Sequence, residues 1–145
     1  MKEQSLKKQN VKEQNTKEQI ITSAISLFVE KGYSATSIRE ITSLLDITKP
    51  TLYYYFNSKE SLYLNCVKSV FNQFINFFDG QFNCHDDDPC LCIRKIFTDH
   101  LYYQRKHPIT YRFIHQVTNK MDPSAPNYDI AQYHRQNGMV LAKII

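Results

Sequence analysis

Residues 36–59 read TSIREITSLLDITKPTLYYYFNSK, and this stretch decides the fold. Ser37 and Glu40 stand at capping-box spacing, where the hydroxyl takes one orphan N–H and the carboxylate another. The spacing predicts a short helix with Ile38, Ile41, Leu44 and Leu45 as its buried face, ending near Leu45. Asp46 and Ile47 make a turn. Thr48 is a natural N-cap, and Pro50 in the following turn costs no hydrogen bond, because those N–H groups lack partners anyway. A helix over about 49–55 follows, with Leu52 and Phe56 inward at i, i+4. Successive helical residues sit about 100° apart, so Tyr53, Tyr54 and Tyr55 cannot all be buried. An outward face of Tyr, Thr and Lys suits a phosphate backbone and a groove floor.

Working outward, residues 16–31 form an amphipathic helix with Ile20, Ala24, Leu27 and Phe28 on one stripe, widened by Ile21 and Ile25. Gly32 supplies the left-handed residue that closes it. Residues 1–15 are polar, and KEQ recurs at 2–4, 12–14 and 17–19. Such a segment is expected to be a disordered arm, because it buries too little surface to offset ordering entropy. Asn57 or Ser58 caps a fourth helix, with Glu60 at the offset for a second capping box. Tyr63, Cys66, Val67, Val70, Phe71, Phe74, Phe77 and Phe78 give that helix a wide apolar face. After a polar break at 79–89, a fifth helix spans about 89–106, with Ile93, Ile96, Phe97, His100 and Leu101 on one side. A sixth covers about 109–119, carrying Phe113, Ile114 and Val117. Residues 122–126 are a loop, and a seventh helix begins near Asn127.

Few glycines and long apolar-periodic stretches predict an all-α fold. The domains expected are the arm at 1–15, a helix-turn-helix domain at 16–60 and a helical regulatory domain at 61–145. Net charge is +4, with nine Lys/Arg against seven Asp/Glu in residues 1–60 and the same counts in 61–145. DNA binding must therefore rest on where a few residues sit and not on bulk charge. No run of 18 or more apolar residues is present, so no membrane partner is expected. The charged N-terminus lacks an apolar segment behind it, which points to the cytoplasm.

Residues 20–63 resemble the DNA-binding domain of TetR-type bacterial transcriptional regulators. The matching runs are LFVEKGY at 27–33, ATSIREI at 35–41, ITKPTLYYYF at 47–56 and SKESL at 58–62. The resemblance implies an N-terminal three-helix domain that holds the helix-turn-helix, followed by a helical effector and dimerisation domain. It implies a double-stranded DNA operator, an unidentified small-molecule effector and a homodimer as partners. It also implies a ligand-responsive repressor with no cofactor. Family members are longer, and their last two helices form the dimer interface, so the second domain here is expected to be shortened. By position, Arg39 would reach a base edge or phosphate. Lys49 and Pro50 would face bases, and Thr51, Tyr53, Tyr54 and Tyr55 would meet phosphates or groove edges. Lys59 would meet a phosphate together with the positive end of its helix. Asp46 stands where the family usually has Gly, a position that Asp tolerates.

His100, Tyr103, Phe113 and Tyr133 are candidates to line an effector pocket. Cys84, His85, Cys90 and Cys92 are candidate metal ligands, although the spacing is not a standard zinc pair. They leave a metal- or redox-responsive regulator as one alternative. The other is a helical interaction protein that has lost operator binding. A cytosolic home predicts no structural disulfide. No catalytic motif stands out, so an enzyme is not expected.

Overall fold

A computed structural model describes residues 2–78 and 88–129. Its elements are six helices: α1 (Lys2–Lys31), α2 (Ile38–Leu44), α3 (Lys49–Tyr55), α4 (Lys59–Phe78), α5 (Pro89–Lys106) and α6 (Pro108–Thr118). Among the described residues there is no strand. The chain divides into two compact units. One holds the residues up to Cys66 together with Asp122–Pro126, and the other holds Val67–Met121 and the residues from Asn127 onward. The expected seventh helix lies outside the described residues beyond Asp129.

The first unit is built around α1, α2, α3 and the start of α4. Ile20, Ala24, Phe28, Ile41, Leu52, Phe56, Leu62 and Cys66 are all essentially inaccessible and form its core. Phe28, Tyr33 and Tyr63 pack ring against ring, with the Phe28–Tyr63 and Tyr33–Tyr63 pairs edge-on at 5.1 Å. Gly32, at φ +82°, closes α1, and its N–H donates to Phe28 O at 3.0 Å. Thr36 is buried because its hydroxyl donates to Gly32 O and Leu27 O.

Two features of this unit differ from the sequence expectation. Helix α1 begins at Lys2 and runs 30 residues, through the segment expected to be disordered. Lys, Glu and Gln are good helix formers, and extending an already nucleated helix avoids the nucleation cost. Leu44, expected in the buried face of α2, is 64% exposed, while Thr42 is buried. On a helical wheel the centre of Ile38, Ile41 and Leu45 lies closer to Thr42 than to Leu44. The Thr42 hydroxyl is satisfied locally by Arg39 O at 3.0 Å.

In the second unit, Asp88 caps α5 by accepting from Cys90 N at 2.8 Å. Helix α5 buries Tyr103, with Ile96 and His100 half-buried on the same i, i+4, i+7 line. Ile93, Phe97 and Leu101, expected on the inner side, are exposed. The helix carries apolar residues on two faces, and periodicity cannot choose between them. The Tyr103 ring meets Phe74, Phe77 and Phe78 of α4 at 4.9–5.8 Å, which sets the choice. Helix α6 buries Phe113 and ends at a left-handed Lys120 (φ 48°). Lys120 N bonds Val117 O and Met121 N bonds Gln116 O, which is a Schellman closure with Lys in the place usually taken by Gly.

Candidate nucleic-acid interface

The site is built on α2, the turn and α3. Ser37 caps α2 in extended geometry: Glu40 N donates to Ser37 Oγ at 3.2 Å, and Ser37 N donates to Glu40 Oε2 at 2.8 Å. The other carboxylate oxygen of Glu40 meets Lys31 Nζ at 2.7 Å. The Lys31 bond comes first among the causes that hold the Glu40 carboxyl down to about 2, and the two Ser37 bonds add to it.

The turn is tight for a definite reason. Asp46 adopts φ 51°, and Ile47 N bonds Thr42 O at 3.0 Å. That is a helix closure with Asp in the left-handed position, where Asp is tolerated better than most residues. Thr48 then caps α3 from extended geometry. Its Oγ1 accepts from Thr51 N at 3.3 Å and lies 2.8 Å from Thr51 Oγ1. Pro50 sits in the first turn, and the Phe56 N–H closes the helix on Leu52 O.

Leu52 and Phe56 anchor α3 from below, 0% and 1% exposed. On the other side Lys49, Pro50, Tyr53 and Tyr54 are exposed, Tyr53 at 45% and Tyr54 at 71%. Tyr53 lies four residues after Lys49, and Tyr54 four after Pro50, so the four share one face of the helix. Thr51 and Tyr55 are half-buried. The Tyr55 ring leans on Tyr54 at 5.0 Å and on Phe56 at 6.5 Å, which leaves it the least outward of the three tyrosines. Arg39 is exposed on α2.

Ser58, and not Asn57, caps α4: Ser61 N donates to Ser58 Oγ at 3.0 Å. Glu60 therefore falls one position short of a capping box. Lys59, the first residue of α4, is half-buried. Its Nζ donates to Ser34 O at 3.3 Å and sits 4.3 Å from the centre of the Tyr33 ring. Burial lowers its pKa, and the carboxylates of Asp122 and Glu40 act in the opposite direction. Tyr33, Ser34 and Asp122 had no role in the sequence reading. Asp122-Pro-Ser is legible as a turn, but nothing local signals a partner 89 residues away.

In the second unit, His100 Nε2 lies 3.0 Å from Tyr111 Oη. The His100 and Tyr103 rings both border Phe74 and Phe78. The Tyr103 hydroxyl is buried and has no hydrogen-bond partner among the described residues. Phe113 is buried on α6, and Tyr133 lies outside the described residues. Of the candidate metal ligands, Cys84 and His85 also lie outside them. Cys90 is a free, exposed thiol. Cys92 is disulfide-bonded and offers no thiolate, contrary to the expected absence of disulfides. That expectation rested on compartment, which says nothing of which sulfurs the chain brings together. Among the described residues no three His, Cys, Asp or Glu side chains gather as a metal site. No described helix is long and apolar enough to cross a membrane.

Comparison with known proteins agrees with this geometry. The sequence pattern of "Bacterial regulatory proteins, tetR family" matches residues 20–66. The chain is 42% identical over 69 residues to the Staphylococcus epidermidis biofilm operon icaADBC HTH-type negative transcriptional regulator IcaR, covering 48% of this chain and 36% of that protein. It is 46% identical over 57 residues to IcaR of Staphylococcus aureus strain Newman, covering 39% and 31%. The chain thus spans about a third of the length of these curated relatives. Among solved structures, a TetR-like transcriptional regulator from Rhodococcus sp. RHA1 matches with a TM-score of 0.63 at 23% identity, over 69% of this chain and 54% of that one. A gamma-butyrolactone receptor (ArpA-like protein) matches with a TM-score of 0.65 at 18% identity, over 83% and 60%. These two share the fold. The match at 20–66 covers the whole helix-turn-helix, with its caps, its left-handed Asp46 and its outward tyrosines, and over this segment the chain is similar to the tetR family of bacterial regulatory proteins.

Proposed function

We propose that the protein is a sequence-specific DNA-binding transcriptional regulator, a ligand-responsive repressor that acts as a homodimer on a double-stranded operator in the cytoplasm. The observation that carries this reading is the outward face of α3. A helix seven residues long is pinned by Thr48, Leu52 and Phe56, and it offers Lys49, Pro50, Tyr53 and Tyr54 to solvent. Such a helix fits the major groove with its N-terminal residues toward base edges. Lys49 and Pro50 meet bases, Pro50 against a thymine methyl group. Thr51, Tyr53, Tyr54 and Tyr55 reach phosphates or groove edges, and Arg39 reaches a guanine or a phosphate from α2. Lys59 adds a phosphate contact at the positive end of α4. The IcaR relatives are negative transcriptional regulators, which supports repression as the sense of control.

One such helix reads one half-site, so useful affinity requires two of them. Effector control is assigned to the second unit, where His100, Tyr103 and Phe113 are the candidate contacts and Tyr133 is a further one. The buried, unpartnered Tyr103 hydroxyl is the polar group there best suited to a ligand atom.

Selection of bound duplexes from a randomised pool, followed by gel-shift titration, tests the proposal. The expected result is an enriched sequence with two-fold symmetry, bound more tightly than its scrambled counterpart. Equal binding of the two would sink sequence-specific regulation. Light scattering of the free protein is expected to give the mass of a dimer.

A further inference from the structure

The turn that follows α1 is held by a residue from near the other end of the described chain. Tyr33 N donates to Asp122 Oδ2 at 2.6 Å. A Cβ placed on Gly32 would come within 3.0 Å of that same oxygen. Asp122 Oδ1 accepts from Ser124 N at 2.9 Å and from Ser124 Oγ at 2.5 Å. Each carboxylate oxygen has its own donor, so the group is fixed from both sides. Residues 122–126 follow α6 in the chain but cluster with the helix-turn-helix unit. The residues that Asp122 fixes are the seat of Lys59: its ammonium rests on the Tyr33 ring and donates to Ser34 O.

We propose that Asp122 is a positioning residue for DNA binding: it fixes the Gly32–Ser34 turn, and the turn holds the Lys59 ammonium where it meets a phosphate. The inference rests on the DNA-binding reading given above. A lysine has four flexible side-chain bonds, and ordering them on a phosphate costs entropy. A ring face and a carbonyl that restrict the ammonium beforehand remove part of that cost. Without Asp122 the Tyr33 N–H loses its acceptor, and the turn is free to relax.

The test is fluorescence anisotropy on a labelled, mixed-sequence duplex of about three helical turns, titrated at stepped KCl concentrations with the full chain. The proteins are wild type, Lys59→Ala, Asp122→Ala, Asp122→Asn, Tyr33→Leu and the Lys59→Ala/Asp122→Ala double variant. Lys59→Ala should weaken binding roughly three- to tenfold and flatten the salt slope by about one. Asp122→Ala should move affinity and slope the same way, and the double variant should bind within about twofold of Lys59→Ala, the non-additivity of coupled residues. Asp122→Asn keeps an acceptor for the Tyr33 N–H and should bind close to wild type. A merely structural Asp122 would instead give effects that multiply in the double variant, and that result overturns the proposal. So does wild-type affinity and slope in Asp122→Ala. Should Asp122→Ala fail to fold by circular dichroism, Tyr33→Leu removes the ring seat together with the Tyr33–Tyr63 ring contact, and an unchanged slope in that variant, folded by the same measurement, is equally fatal. Wild-type binding with no effect of Lys59→Ala overturns the positioning claim and leaves the DNA-binding reading standing. No wild-type binding at all overturns both.

Discussion

Lys31 Nζ, in the last turn of α1, lies 2.7 Å from Glu40 Oε1, in the first turn of α2, and the same carboxylate closes the Ser37 capping box. One side chain thus links two helices and satisfies the start of the second. The ion pair alone is solvent-exposed and contributes little. The Ser37 N–H bond makes the carboxylate a structural part of the helix-turn-helix.

Acid should weaken this link. The Glu40 pKa falls from 4.5 to about 2 on folding. A depressed carboxyl stabilises fully above its unfolded value, and that contribution is lost as pH falls from about 4.5 towards 2. Thermal melts followed by circular dichroism should show a steeper fall of Tm across this window in wild type than in Glu40→Gln. Parallel curves would show that Glu40 takes no part.

Tyr53→Ala should abolish tight operator binding and leave the melting curve unchanged. Its ring is 45% exposed and contributes to no core. Loss of a groove contact of this kind costs about 1–3 kcal/mol, roughly a five- to 160-fold weakening. Gel-shift titration against the selected duplex measures it, and unchanged affinity would mean that α3 is not the recognition helix.

Leu52→Ala should have the opposite profile. Leu52 is 0% exposed beneath α3, and emptying such a site costs about 2–5 kcal/mol. Urea titration should show the lost stability, and DNA binding should decline only because the fold does.

Cysteine labelling should divide sharply. Cys66 is buried, with Sγ 3.7 Å from Ile21 O, and burial pushes its thiol pKa up. Cys90 is free and exposed. Iodoacetamide on the native protein should modify Cys90 and spare Cys66 until denaturant is added, as read by peptide mass spectrometry.

Much of the helix-turn-helix was legible because its signals are local. The Ser37–Glu40 box, the Thr48 cap, Pro50 and the Leu52–Phe56 pair each act within one helical turn, and α3 has the limits they predict. The outward set on α3 follows from the same periodicity. What was not legible depends on distant partners. Leu44 is exposed because the faces α2 buries run through Thr42 instead. Helix α5 has two apolar faces, and only the rings of α4 select the one bearing Tyr103. Asp122 has the sequence signature of a turn, whereas its hold on Tyr33 joins positions 89 residues apart.

Tyr103 has a consequence of its own. Its hydroxyl is buried with no hydrogen-bond partner among the described residues, and burial raises its pKa to about 12, so ionisation gives no relief in neutral or mildly alkaline solution. An oxygen stripped of hydration in this way costs about 1–3 kcal/mol. Exchanging Tyr103 for Phe deletes that one oxygen and keeps every ring contact. Calorimetry should find the variant melting at a higher temperature than the parent, a protein made sturdier by the loss of a single atom.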